Sequence, residues 1–258
     1  MNRRSRWLWA AGICAYLFLY APLIIVVVYS FNDSRLNAQW VGFTLGWYRK
    51  LFGNEEMLTA AWNSLIIGLV ASAVSTLLGT MAGYAMYRFK LRALPLLVLA
   101  PIAIPEILMG VSLLIYFVAF MPAFGLVSIM LAHIAFCLGY VAVVVRARLA
   151  GMDPSLVEAA RDLGATPLRA FRLITLPLIM PGVIAGALMA FTLSIDDFVI
   201  TYFTAGADTL TLPLKIYTMV KISVTPEVNA VSTLLMLLTL ALIVIASRLA
   251  PGALRAGN

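Results

Sequence analysis

The 258-residue sequence predicts an all-α polytopic membrane protein, one transmembrane domain over 1–258 with six spanning helices and cytoplasmic N- and C-termini. Three observations predict it. Hydrophobic residues make up 63% of the chain and charged residues only 11%, whereas a soluble domain carries about 25% charge. The apolar residues gather in runs long enough to cross a ~30 Å hydrocarbon core, which takes about 20 helical residues. The basic residues alternate in density between successive connecting segments, as the positive-inside rule requires. So much apolar surface exceeds what a chain of this size can bury without lipid, and the same composition excludes disorder.

The first span, 7–29, follows Arg3, Arg4 and Arg6. It resembles a signal peptide, but the uncharged run is too long for a typical h-region and no small-x-small cleavage site follows, so we read it as an uncleaved helix. The second span, 62–85, opens at the helix-start pair Asn63-Ser64 and carries Gly68, Ala71, Ala73, Gly79 and Gly83, small residues that permit close helix packing. The third, 94–119, is interrupted by Pro101, Pro105 and Glu106; each proline removes a backbone donor and disturbs the helix. The fourth, 125–145, follows the turn Met121-Pro122-Ala123-Phe124-Gly125. The fifth, 181–203, carries Asp196 and Asp197, and the sixth is 228–246. In the outer loop, 212–221 has the spacing of an interfacial helix.

With the N-terminus inside, the cytoplasmic segments hold 13 of the 18 Lys and Arg residues: Arg3, Arg4, Arg6, Arg88, Lys90, Arg92, Arg146, Arg148, Arg161, Arg169, Arg172, Arg248 and Arg255. The outer segments hold 5: Arg35, Arg49, Lys50, Lys215 and Lys221. The net charge of +7 is therefore topological and does not mark a nucleic-acid partner. Cys14 and Cys137 lie inside apolar runs and read as small hydrophobes, with no CxxC pair for a metal or redox site. His133, the one histidine, stands four residues before Cys137; two ligands do not make a metal site, so packing or a hydrogen bond is expected.

Segment 153–177 is the polar exception, placed on the cytoplasmic face between the fourth and fifth spans. Asp153-Pro154 gives a cap followed by a first-turn proline, and 155–163 has helical spacing. Gly164 can take the left-handed conformation that ends a helix. Thr166-Pro167 repeats the start signal for a second helix over 168–175. Three carboxylates lie within the spans: Glu106, about 18 Å from the inner end of the third, and Asp196 and Asp197, about 22 Å along the fifth. Charges at membrane depth cost a few kcal/mol and usually serve function. Spaced carboxylates suit a cationic substrate, and Tyr116, Phe117, Phe198 and Tyr202 could add aromatic walls. The two aspartates point about 100° apart on a helix, so one of them faces a path, and Asp196 is preferred.

Glu158-Ala159-Ala160, three residues, Gly164, nine residues, Ile174, one residue and Leu176-Pro177 resembles the EAA motif of bacterial ABC importer permeases at every position. The resemblance implies a type I ABC importer permease fold and makes 153–177 the segment that couples to an ATP-binding subunit, with Glu158 and Gly164 carrying the docking. The run Ser194-Ile195-Asp196-Asp197-Phe198-Val199-Ile200-Thr201, with Thr211-Leu212-Pro213, 225–230, Ile104-Pro105-Glu106-Ile107 and Tyr29-Ser30-Phe31-Asn32, is similar to the second membrane subunit of spermidine/putrescine transport systems. That likeness implies a multi-pass protein of the bacterial inner membrane, importing polyamines by alternating access. It implies four kinds of partner: an ATPase dimer, a second permease subunit of a different chain, an extracytoplasmic substrate-binding protein and the bilayer.

The sequence contains no GxxxxGK[ST], so ATP and Mg²⁺ are expected on the partner ATPase, with no cofactor or metal in this chain and no enzymatic activity of its own. Related importers of iron, thiamine or similar solutes share parts of these motifs. A secondary transporter using Glu106 and Asp196 is the reading from another class.

Overall fold

The computed structural model describes residues 3–34, 39–89, 93–120, 124–222 and 225–249. Arg35, Lys90, Arg92 and Arg255 of the charge count, and Met121, Pro122 and Ala123 of the expected turn, lie outside the described residues. Within those limits the regular structure is helical, apart from one antiparallel bridge between Asn32 and Phe43. The chain divides into two compact units.

The first unit comprises Met1–Thr59 and Lys215–Thr239. Helix α1, Arg3–Tyr29, contains the apolar window Trp7–Tyr29, none of it buried in the protein. Such a surface needs lipid or another chain around it. At its end the chain turns through Ser30 and Asn32, both fully buried. The Asn32 amide donates to Gln39 O at 2.8 Å and accepts from Val41 N at 2.9 Å, and Trp47 Nε1 donates to Asn32 O at 2.9 Å. Tyr48 closes the turn on Ser30 Oγ at 2.7 Å. The short helix α2, Gly46–Phe52, presents Lys50 to Glu227 at 2.8 Å. Lys215 pairs with Glu56 in the same unit.

The second unit, Ala60–Leu214 and Leu240–Asn258, holds the main core. Helix α3, Glu55–Arg88, runs on from the first unit's residues into it. Helix α6, Leu126–Ala150, is the axis of the core, burying Ala132, Phe136, Cys137, Val141, Val145 and Leu149. Its neighbours approach closely because they offer glycines. A Cβ on Gly83 of α3 would stand 2.8 Å from Ala142 O, and one on Gly139 of α6 would stand 2.8 Å from Val98 O. Membrane helices gain their contact this way, since lipid removes the hydrophobic drive between them.

Five helices are long and apolar enough to span a membrane, and a bent pair supplies a sixth candidate. That pair corrects the expectation of a merely interrupted third span. Helix α4, Ala93–Ala103, and helix α5, Glu106–Phe120, meet at 106°. Pro105 cannot donate into the ladder and restricts Ile104 before it, so the helix stops and restarts.

The fifth span is also corrected, at both ends. After helix α7, Ser155–Asp162, helix α8, Pro167–Ala170, does not stand alone as a second short helix. It continues through a π-helical turn, Phe171–Thr175, into helix α9, Leu176–Ile195. Leu176 N bonds Phe171 O five residues back. Pro177 lacks the N–H that Leu173 O would otherwise receive, and a widened turn accommodates that loss. At the other end α9 stops at Ile195; 196–198 is a break, and helix α10, Val199–Thr204, restarts after it. Helix α11, Leu212–Ile222, and helix α12, Pro226–Leu249, complete the chain.

Candidate functional site: two helix breaks and a capped surface helix

Segment 153–177 has the local structure its sequence announces. Asp153 Oδ1 accepts from Ser155 N at 2.9 Å and so caps α7. Those hydrogen bonds hold the Asp153 carboxyl below its ordinary range. Gly164 has φ +86°, the one positive-φ glycine among the described residues. Ala165 N reaches back to Ala160 O at 3.0 Å and Gly164 N to Arg161 O at 2.9 Å, so the turn satisfies the last carbonyls of α7. Thr166 Oγ1 accepts from Arg169 N at 3.4 Å and caps α8.

Ala159 is exposed and Ala160 half-buried, on the face that also shows Leu156 and Leu163, the latter 90% exposed, whereas Glu158, also exposed, lies on the opposite side of α7. Ile174 and Leu176 are half-buried, and Leu176 packs against the core. Pro177 is exposed. Glu158 and Arg161 border a crevice of ≈ 220 Å³ whose other walls include Tyr84, Tyr87, Met152 and Phe171. Phe171 of the π turn meets Tyr84 of α3 with ring centroids 4.9 Å apart. The segment is thus an elbow: α7, a left-handed glycine, then a helix continuous with a membrane-spanning one.

The second constellation lies at the two breaks. Glu106 is the first residue of α5 and is exposed. A carboxylate there faces the positive end of the helix dipole and is locally stabilised. Asp196 is the C-cap of α9 and is also exposed. A carboxylate there faces the negative end of its own helix, which is locally unfavourable. Among the described residues neither carboxylate has a side-chain hydrogen bond or an ion pair. The two are near enough to interact electrostatically, and Glu106 does so with Tyr140 as well. Helix α5 packs on α10, which brings the two breaks together. Gly110 makes that approach possible: a Cβ there would stand 2.6 Å from Phe203 Cδ2.

Asp197 is placed differently from its neighbour. It is buried, and its carboxylate accepts from Thr201 N at 2.8 Å, Ile200 N at 3.4 Å and Thr201 Oγ1 at 2.9 Å. It therefore caps α10 and starts the helix after the break. His133 of α6 approaches the same oxygen, with Nε2 at 3.2 Å from Asp197 Oδ2. Tyr116 is exposed, whereas Phe117 is only 3% exposed and belongs to the core rather than to an aromatic wall. Phe198 and Tyr202 meet near the break with centroids 5.7 Å apart and ring planes tilted by 45°.

Sequence reasoning did not bring out Ser194, Thr201, Tyr140 or the hydrogen-bonding partners of His133. The available signal was Asp197 itself, a residue type that favours helix starts, followed four residues on by a threonine within an apolar run.

Residues 75–254 match the family described as "Binding-protein-dependent transport system inner membrane component". The putrescine transport system permease protein PotI of Escherichia coli (strain K12) is 42% identical over 243 residues, 90% of this chain and 86% of the relative. The spermidine/putrescine transport system permease protein PotC of the same strain is 44% identical over 237 residues, 91% of this chain and 89% of the relative. PotC of Haemophilus influenzae is 42% identical over 233 residues.

Among solved structures, a bacterial ABC transporter involved in the import of the acidic polysaccharide alginate superposes with TM-score 0.73 at 14% identity, covering 96% of this chain and 98% of that one. The inward-facing MetNI methionine ABC transporter gives TM-score 0.67 at 21% identity, covering 78% and 99%. At such identities the likeness speaks to the fold, which is that of type I ABC importer permeases.

Proposed function

The chain belongs to the inner membrane components of binding-protein-dependent transport systems, and from that premise we propose that it is a polyamine-translocating subunit of an ATP-driven importer. One observation carries the substrate assignment. Two exposed carboxylates, Glu106 and Asp196, have no ion-pair partner among the described residues and stand at two neighbouring helix breaks, in a chain 42–44% identical to putrescine and spermidine/putrescine permeases. A polyamine is a row of ammonium groups separated by methylenes. Two spaced carboxylates offer it charge, and the adjoining Phe198 and Tyr202 offer it faces. Helix breaks at membrane depth supply free backbone groups where a cavity can use them. Affinity here need only be modest, because capture falls to a separate extracytoplasmic binding protein.

In this proposal both termini are cytoplasmic, as the Lys and Arg distribution favours. The elbow 153–177 then lies inside, where Glu158, Ala159, Ala160 and Gly164 meet an ATP-binding subunit, and Ile174, Leu176 and Pro177 carry the movement into α9. ATP and Mg²⁺ are bound by that ATPase dimer. A second permease chain supplies the other half of the pathway and covers apolar surface such as that of α1. ATP binding draws the coupling elbows together and opens the path outward; hydrolysis returns it inward.

The test is uptake of labelled putrescine and spermidine into liposomes holding the purified assembly, with ATP inside or outside as its orientation demands. Saturable, ATP-dependent accumulation is expected. An assembly that hydrolyses ATP in response to its loaded binding protein but accumulates neither polyamine would contradict the substrate. A chain that carries polyamine with no ATPase bound would contradict the importer class.

A further inference from the structure

His133 sits at 1% exposure in the N-terminal third of α6 and touches three residues from three places. Its Nδ1 lies 2.7 Å from Ser194 Oγ, in the last turn of α9. Its Nε2 lies 3.0 Å from Thr201 Oγ1 of α10 and 3.2 Å from Asp197 Oδ2 in the break. One ring therefore bridges the end of one helix and the start of the next. Ser128, on the same helix, shares its hydroxyl hydrogen between Gly125 O and Thr204 O, each at 2.8 Å, the latter at the far end of α10. So α6 grips the interrupted chain at three levels: Ser194, then Asp197 with Thr201, then Thr204.

With a neutral ring, the cluster is best satisfied when the ring hydrogen sits on Nε2, beside the Asp197 carboxylate. The Asp197 carboxylate can only accept. Thr201 has one hydroxyl hydrogen, which it gives to Asp197 Oδ2 at 2.9 Å, leaving its oxygen to accept. In that arrangement Nε2 carries the imidazole hydrogen, shared between Thr201 Oγ1 and Asp197 Oδ2, and Nδ1 accepts from the Ser194 hydroxyl. Every buried polar group is satisfied, with the acceptor nitrogen facing α9 and the donor nitrogen facing α10. A group with both functions is required to hold both sides. Asp196, the residue between them, is thereby fixed as the exposed C-cap of α9.

We propose that His133 is a positioning residue that clamps the α9–α10 break and so holds Asp196 at the polyamine path. The inference rests on the path assignment above. It assigns Asp197 to the clamp, leaving Asp196 to meet the substrate.

The experiment measures uptake at saturating loaded binding protein, alongside ATP hydrolysis, in the full assembly carrying His133→Ala, His133→Gln, Asp196→Asn and the His133→Ala/Asp196→Asn pair. A lost buried, charge-assisted contact is worth a fall of about tenfold in uptake. We expect that fall in His133→Ala with ATP hydrolysis retained, most of it restored in His133→Gln, whose amide again offers a donor towards Asp197. In the Asp196→Asn background we expect no further loss, because the clamp then has no carboxylate to place.

If the two losses multiply, or if Gln does no better than Ala, the positioning role is overturned while the path assignment stands. Undiminished uptake in Asp196→Asn overturns the path assignment itself, and the clamp's purpose with it. Should His133→Ala fail to assemble, Thr201→Val removes one rung of the same clamp with little change of shape. It must then show the same loss, again absent in the Asp196→Asn background.

Discussion

Asp196 and Asp197 are adjacent in the chain and opposite in circumstance. Asp197 is buried and accepts three hydrogen bonds besides its contact with His133, and Asp196 is exposed at the end of α9. Their replacement should therefore separate stability from transport. Asp197→Ala leaves His133 and the first N–H groups of α10 without their acceptor and should cost roughly 3 kcal/mol. Asp196→Ala should cost less than about 0.5 kcal/mol and show itself only in uptake. Thermal unfolding of the purified assembly in detergent checks both; equal losses of stability would refute the division of roles. The sequence exposed the pair as acids in an apolar run, but not which of them is buried. A helical wheel separates neighbours by about 100° and presumes an unbroken helix. Here the chain leaves the helix at 196, and contacts from α6, more than 60 residues earlier, decide the rest.

At the scale of elements, the elbow depends on Gly164. No atom crowds the place a Cβ would occupy there, so only the backbone conformation opposes substitution. Gly164→Ala should cost about 1–2 kcal/mol locally, by the steric penalty of a left-handed residue. The global unfolding temperature should stay near wild type, because α7 can fray alone. ATPase copurification and ATP-driven uptake should fall in Ala, fall further in Val, and be better kept in Asn, which tolerates that conformation. Equal coupling in all three would show that the turn is not what transmits movement.

The cap of α7 has a definite pH dependence. Asp153 has a folded pKa below its ordinary value, so its contribution is complete above that ordinary value and is lost only as pH falls through the lower folded one. Coupling measured from pH 5 to 8 should show no inflection from this group. Gly139 tests packing instead: Gly139→Val places side-chain atoms against Val98 O and Ile102, and should lower stability by about 1–3 kcal/mol through overpacking between α4 and α6.

The elbow was readable because its signals are local: a cap, a proline and a glycine within a dozen residues. The π turn was not, since a proline one turn downstream fixes the need for relief but not the form it takes. The 106° bend between α4 and α5 likewise depends on partners distant in sequence, with Gly110 of α5 meeting Phe203 of α10.

The molecule as a whole divides into what hydropathy decides and what packing decides. Long apolar helices follow from the absence of water in the bilayer, which forces each spanning segment to satisfy its own backbone. Their existence was therefore plain from composition and run length. The breaks sit where proline or aspartate interrupts those runs, and they carry the carboxylates that a solute path would use. Orientation remains the proposal that the basic residues favour. Single cysteines placed at 158 and at 50, in a background lacking Cys14 and Cys137, should react with an impermeant thiol reagent from the inner and outer faces respectively. Labelling from one and the same side would reverse or collapse the topology.

The most direct measurement of the central claim is ATP-dependent putrescine and spermidine uptake by the liposome-embedded assembly, wild type beside the Glu106→Gln/Asp196→Asn pair. Neither carboxylate has a structural partner among the described residues, so the paired variant should assemble and hydrolyse ATP normally. The account predicts saturable uptake in wild type and a loss of about a hundredfold in the variant, roughly tenfold for each charge withdrawn from a cationic solute. Uptake of both polyamines at the wild-type rate by an assembly that lacks these two charges would contradict it.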